Sequence, residues 1–105
     1  MRTLQVKYNA KARKQISDTI LYYLEEFGKQ ATFNLSRRID EKVRLLSNHP
    51  GIGHPESLLN NQRILYRSII IGRYHKIIYY TKGETLRIAA FWDMRMHPNK
   101  LKKMI

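Results

Sequence analysis

The segment Arg63–Pro98 reads RILYRSIIIGRYHKIIYYTKGETLRIAAFWDMRMHP, and the rest of the chain is organised around it. Three stretches of it are apolar or alternate between apolar and polar residues: Arg63–Ile71, Tyr74–Thr81 and Thr85–Asp93. Stretches of this kind that are rich in Ile and Tyr are typical of β-strands. Gly72-Arg73 and Lys82-Gly83 separate them and favour tight turns. The segment therefore predicts a three-stranded antiparallel meander.

The chain carries a large excess of positive charge, with 20 Lys and Arg against 8 Asp and Glu in 105 residues. Residues 63–105 hold ten of the basic groups and only two acidic ones, Glu84 and Asp93. Such a field attracts nucleic acid, the ribosome, acidic proteins and anionic membrane surfaces alike. Because the charge is concentrated in the second half, we expect the functional surface to lie there.

The residues before Gly28 predict a strand followed by a helix. Thr3–Tyr8 alternates between apolar and polar residues, as a strand does. Asn9 is suited to cap a helix, and Gly28 is suited to end one. Between them, apolar residues recur with helical spacing on one stripe: Ala12, Ile16, Ile20, Tyr23, Leu24 and Phe27.

A second helix is predicted almost immediately afterwards. Its apolar residues are Leu35, Ile39, Val43 and Leu46, and the stretch 48–51 (Asn-His-Pro-Gly) ends it. Because only Gly28 and Lys29 separate the two helices, they should form an antiparallel hairpin. Residues 52–62 contain Gly, Pro and Asn and are predicted to form an ordered loop.

The order strand, helix, helix, strand, strand, strand predicts an α+β fold in one domain, residues 1–105, with the helical hairpin covering one face of the sheet. That face should bury Leu86, Ile88 and Ala90. No helix is predicted to cover the other face. We therefore expect an uncovered, basic, tyrosine-bearing face to bind a partner.

The composition also excludes several classes of protein. The chain has no Cys, so it has no disulfide framework, thiol nucleophile or thiolate metal site. Residues 1–5 lack the apolar core of a signal peptide, and Ile69–Ile71 is the longest purely aliphatic run, so we expect a soluble intracellular protein without membrane association. No glycine-rich phosphate loop or clustered carboxylates occur, and no metal or cofactor is expected.

Four segments, taken in this order, resemble the RelE/ParE superfamily of type II toxins: residues 20–28, 46–53, 74–80 and 94–101. The last of them, MRMHPNKL, is similar to the arginine-containing, proline-terminated end of the last strand in ParE-like members. The resemblance covers nearly the whole chain. It implies a small basic toxin that inhibits growth and is held inactive by a cognate antitoxin encoded beside it.

The resemblance leaves two mechanisms open. ParE-like members inhibit DNA gyrase and are not nucleases, whereas RelE-like members are enzymes that cleave messenger RNA on the ribosome. The ParE-like ending of the chain favours gyrase as the target. The alternatives are ribosome-dependent RNA cleavage and, from another class, a non-toxic basic module that binds nucleic acid.

RNA cleavage would need cations for the phosphate and a group that carries a proton. By resemblance, Lys76 stands where RelE-like nucleases have an arginine, and Arg95 lies near their second arginine. His97 is the candidate proton carrier, because histidines exchange protons near neutral pH. Arg67 and Tyr74 are suited to bind phosphate or stack on a base. Lysine cannot form the bidentate fork of an arginine, which also favours the ParE-like mechanism.

Overall fold

The structure is a computed structural model that describes residues 3–59 and 63–104. Its strands form one sheet: β1 (Gln5–Tyr8), β2 (His54–Pro55), β3 (Arg67–Ile71), β4 (His75–Lys82) and β5 (Thr85–Asp93). The order across the sheet is β1-β5-β4-β3-β2, with β1 parallel to β5 and the other pairs antiparallel. The predicted α+β fold and its meander, β3-β4-β5, are confirmed.

The helix α1 (Ala10–Asn48) is interrupted at Gly28. Gly28 has φ 86° and ψ −178°, a conformation open almost only to glycine. A straight helix of 39 residues would be about 58 Å long, whereas the longest dimension of the molecule is 40 Å. The chain therefore folds back at Gly28, and the predicted helical hairpin is confirmed. We call residues 10–27 the first arm and residues 29–48 the second arm.

The hairpin packs on one face of the sheet, as predicted. Asn9 caps the first arm by accepting a hydrogen bond from the Ala12 N–H at 2.8 Å. The core beneath the hairpin contains residues from both arms and from the faces of β1, β3, β4 and β5 that point toward the helices. Its buried residues include Leu46, Ile71, Ile77, Tyr79, Leu86, Ile88 and Phe91. Burial of these side chains, the main favourable term in folding, holds the arms against the sheet.

Ala90 does not lie on that face, and its predicted position was wrong. Ile78 pairs with Ala90, but the next residue, Tyr79, pairs with Ile88. Ala89 is therefore an extra residue in β5, a β-bulge that shifts the alternation of side chains by one position. Ala90 is buried on the opposite face of the sheet, and Phe91 returns to the face beneath the helices.

The opposite face is covered, contrary to prediction. A short helix, α2 (Pro98–Met104), follows β5, and its Leu101 is fully buried. The core on this side contains Leu59, Tyr66, Ile78, Ala89, Ala90, Trp92 and Leu101. The sequence analysis predicts no helix after Pro98, although proline is favoured at the first position of a helix and Leu101 supplies an apolar anchor. The exposed sheet face that was expected to bind a partner is thus largely an interior.

The predicted loop, residues 52–62, contains more structure than expected. It holds β2 and a 3₁₀ turn, Ser57–Leu59, while residues 60–62 lie outside the described part of the chain. The strand predicted from Arg63 begins only at Arg67. Within residues 3–59 and 63–104, no helix has the length and apolar character needed to cross a membrane.

Candidate functional site

Arg95 and Asp93 form an ion pair at the end of β5. The guanidinium donates from Nη2 to Asp93 Oδ2 at 2.7 Å and from Nε to Oδ1 at 3.0 Å, and the Arg95 backbone N–H donates to Oδ1 at 2.9 Å. This two-pronged contact is the strong form of an arginine–carboxylate pair. The hydrogen bond from Arg95 lowers the pKa of Asp93, and the same bond raises the pKa of Arg95.

Tyr74 lies against this guanidinium. Arg95 Cζ is 4.2 Å from the centroid of the Tyr74 ring, which is a cation–π distance. The backbone carbonyl of Tyr74 accepts a hydrogen bond from the Met94 N–H at 2.7 Å and so holds the end of β5 beside the start of β4. The structure therefore brings together two of the predicted site residues, Tyr74 and Arg95.

A groove of about 400 Å³ separates the first arm from the end of β5, and we call it the Arg95 groove. Gln15 joins its two walls, because its Oε1 accepts a hydrogen bond from the Phe91 N–H at 2.8 Å. The groove is mainly apolar and aromatic, with charged groups at intervals. Its lining is Gln15, Asp18, Thr19, Tyr22, Tyr23, His75, Phe91, Trp92, Asp93, Arg95 and Met96.

His75 forms part of the groove wall and is only 6% exposed. Its ring stacks on Phe91, with the centroids 4.8 Å apart, and meets the edge of Tyr23 at 6.5 Å. Burial lowers the pKa of His75; the Asp93 carboxylate opposes this shift and Arg95 adds to it. His75 is therefore a buried, packed residue of the groove wall.

Lys76 lies on the other face of the sheet, beside Trp92 in the adjacent strand. Its Nζ donates to Glu56 Oε2 at 2.5 Å, and the two side chains are only 15% and 7% exposed. A cation in such a pair is neutralised and largely removed from solvent. Lys76 therefore occupies different surroundings from Arg95.

Arg67 binds the loop before β2. Its Nη1 donates to Gly53 O at 2.8 Å. The Tyr79 hydroxyl accepts from the Gly53 N–H at 3.0 Å and donates to Pro50 O at 2.7 Å. Gly53 is required here, because a Cβ would collide with the Tyr79 hydroxyl and come within 2.8 Å of Ser68 O. Arg67 and Tyr79 together fix this loop to the sheet.

Arg67 and Lys76 also point in opposite directions. Arg67 pairs with Tyr79, whereas Lys76 pairs with Ile70, three positions further along β3. An odd number of positions along a strand places side chains on opposite faces. These two predicted site residues are therefore separated by the sheet itself.

His97 is exposed at the start of α2. Its Nδ1 accepts a hydrogen bond from the Asn99 N–H at 3.1 Å, and its backbone carbonyl accepts from the Lys100 N–H at 3.0 Å. Both contacts satisfy groups in the first turn of the helix, as a capping residue does. Within the described ranges, 3–59 and 63–104, no three His, Asp or Glu side chains are grouped as metal ligands would be.

Sequence reasoning missed Glu56 and the groove wall provided by Tyr22 and Tyr23. Glu56 is twenty residues from Lys76 in the chain, and no local pattern links them. Tyr22 is 53% exposed on the first arm and lines the groove. Its exposure becomes visible only when the arm is placed on the sheet.

Comparison with known proteins shows the family of this chain. Residues 6–98 match the family model described as the ParE toxin of type II toxin-antitoxin systems, parDE. The chain belongs to this family. It is therefore a toxin of the type II toxin–antitoxin class, and every residue that lines the Arg95 groove lies within the matched region.

Solved structures show the same fold at low sequence identity. A chain of the chromosomal ParDE toxin–antitoxin system from P. aeruginosa is similar with a TM-score of 0.69 and 18% identity, over 87% of this chain and 96% of that one. The YoeB dimer from Staphylococcus aureus is similar with a TM-score of 0.54 and 18% identity, over 85% and 94%. No match was found among the curated proteins.

Proposed function

We propose that this ParE-family toxin acts as a binding protein that inhibits DNA gyrase, and that the Arg95 groove is its contact surface for the target. The observation that carries the proposal is the composition of the groove. It combines the exposed Tyr22 with an arginine that an ion pair orients, and Tyr and Arg are among the side chains that contribute most at protein interfaces. The ion pair with Asp93 holds Arg95 in place before a partner arrives.

The placement of the other predicted residues supports binding rather than RNA cleavage. In the alternative mechanism, Lys76 and Arg95 would both stabilise the charge on the phosphate, while His97 carried the proton. Such groups have to converge within hydrogen-bond reach of the reacting atoms. Lys76 is held by Glu56 on the face of the sheet opposite to the Arg95 groove, and His97 is held by the first turn of α2.

A cognate antitoxin is the second partner that we propose. Membership of a toxin–antitoxin family supports it, and the net charge of +12 favours an antitoxin segment that is acidic. Binding would then weaken as ionic strength rises, because salt screens charges on exposed surfaces.

The mechanism can be tested by inducing the toxin in cells and following two readouts in parallel. The ends of messenger RNAs are mapped, and the supercoiling of a reporter plasmid is measured. We expect loss of supercoiling without codon-phased RNA cuts. Codon-phased cuts together with intact supercoiling would overturn the gyrase proposal and establish RNA cleavage.

Arg95→Ala is the informative variant, and Arg44→Ala is its matched control. Both remove one positive charge from an exposed arginine, but Arg44 lies on the second arm outside the groove lining. We expect Arg95→Ala to abolish the effect on supercoiling and Arg44→Ala to preserve it. Equal activity of the two variants would exclude the Arg95 groove as the contact surface.

A further inference from the structure

A second cavity, of about 720 Å³, lies at the opposite end of β4 from the Arg95 groove. It is bounded by the Pro50–Gly51 turn, by the residues that precede β3 and by the end of β4. Arg63, Arg67 and Lys82 supply its charged groups. We call it the basic pocket.

The basic pocket exists because β4 is longer than its neighbour. The first residue of β3, Arg67, pairs with Tyr79, so the last three residues of β4 have no partner in β3. They pair only with β5 on the other side. Tyr80, Thr81 and Lys82 therefore form one wall of an open notch at the edge of the sheet.

The charges in the basic pocket are all positive. None of the residues that line it is an Asp or a Glu, whereas the Arg95 groove contains Asp18 and Asp93. The two cavities share no lining residue. The pocket thus offers a concentrated positive potential, which suits an anionic ligand.

Two of the three cations, Arg67 and Lys82, have charged groups that can contact an anionic ligand in the pocket. Both contacts of Arg67 with the loop use Nη1, so its Nε and Nη2 donors make no hydrogen bond with residues 3–59 and 63–104. The contact with Gly53 O holds the guanidinium plane, which preserves its forked geometry for phosphate oxygens. Lys82 is exposed and forms no ion pair within the described part of the chain.

We propose that the basic pocket binds the phosphodiester backbone of a nucleic acid. Several cations around a notch, together with the hydroxyl of Thr81, match the negative charge and acceptor oxygens of consecutive phosphates. Because the phosphate backbone is the same in every nucleic-acid sequence, recognition through these cations would be independent of sequence. This activity goes beyond the gyrase proposal, and its test contains no gyrase, so either proposal can fail alone.

The test measures binding of the full chain to a fluorescent 20-base-pair DNA duplex and, separately, to a 20-nucleotide single-stranded RNA, at several salt concentrations. The pocket variant is Arg63→Ala/Lys82→Ala. The matched control, Lys29→Ala/Arg44→Ala, removes the same charge from the second arm. Arg67 is left in place because it fixes the loop.

We expect the pocket variant to lose several-fold more affinity than the control on at least one of the two nucleic acids. The slope of log K against log salt should fall by about 0.9 on duplex DNA, or about 0.7 on single-stranded RNA, for each phosphate contact removed. The nucleic acid that shows this difference is the ligand source.

Equal loss of affinity in the pocket variant and the control would overturn the proposal, because it would mean that only net charge matters. Thermal unfolding of both variants is measured alongside. If the double variant fails to fold, the single variant Lys82→Glu at an exposed position replaces it, with Lys29→Glu as its control. Indistinguishable binding by these two variants would likewise overturn the proposal.

Discussion

Two ion pairs lie near opposite faces of the same sheet, and they differ mainly in their exposure to solvent. In the pair of Lys76 with Glu56, the side chains are 15% and 7% exposed; in the pair of Arg95 with Asp93, they are 59% and 26% exposed. Both contain a cation that the sequence marks as functional. Burial assigns them different roles: the first pair belongs to the interior, and the second forms the rim of a groove.

A cation in a family-like position is a functional candidate only if its charge can reach a partner. A buried charge must be paired to remain in the fold, so its partner becomes indispensable to stability. An exposed pair contributes little to stability and can exchange its contacts for those of a target.

Breaking the buried pair should produce the largest loss of stability. We expect Lys76→Ala to lower the free energy of unfolding by about 3–5 kcal/mol, because Glu56 would be left buried without a partner. Urea unfolding of the purified chain measures this. The double variant Lys76→Met/Glu56→Met should recover much of the loss, since apolar side chains can replace a buried pair. A loss below about 1 kcal/mol in Lys76→Ala would show that the pair behaves as an exposed one.

A smaller effect should follow from the pH dependence of the groove wall. Because burial lowers the pKa of His75, the unfolded chain binds a proton at this residue more readily than the folded chain does. The contribution of neutral His75 to the free energy of unfolding is therefore fully present above about pH 6.5, the ordinary pKa of histidine. This contribution declines as the pH falls below that value. Asp93, whose pKa is lowered, loses its contribution only at more acidic pH.

This decline is measured by urea unfolding between pH 7 and pH 5. His75→Phe keeps a flat ring against Phe91 and should flatten the pH dependence in this range. His49→Gln, at an exposed position outside the groove, serves as the control and should retain it. An unchanged slope in His75→Phe would contradict the assignment of the effect to His75.

The smallest effect on stability is expected at the exposed pair. Arg95→Ala should leave the thermal midpoint of unfolding close to that of the unaltered chain, because the guanidinium lies at the surface. Differential scanning calorimetry of the two proteins decides this. A large drop in the midpoint would make Arg95 a structural residue, like Lys76, and would remove the distinction between the two pairs.

Much of the fold was predictable because its signals are local. The bounds of β5 were predicted correctly, and so was the turn at Gly28, where the required backbone conformation excludes other residues. The sheet face on which Ala90 lies was not predicted correctly, because the alternation of apolar and polar residues does not reveal the bulge at Ala89. The short helix after Pro98 was not predicted, because it is anchored by one buried apolar residue, Leu101.

The candidate site was only half predictable. Tyr74 and Arg95 were named, but their proximity depends on strand register. From the Lys82-to-Thr85 pairing at the turn, simple counting places His75 opposite Trp92, and the bulge moves its partner to Asp93. The partner of Lys76 comes from a loop twenty residues earlier, whose position is set by tertiary contacts. Burial of Lys76, which distinguishes it from Arg95, is therefore not visible in the sequence.

We propose that this ParE-family toxin inhibits gyrase through the Arg95 groove. The most direct measurement is ATP-dependent supercoiling of relaxed plasmid by purified gyrase, with increasing amounts of the unaltered toxin, Arg95→Ala or Arg44→Ala. We predict inhibition by the unaltered toxin and by Arg44→Ala, and none by a correctly folded Arg95→Ala. Full supercoiling in the presence of excess unaltered toxin would contradict the claim.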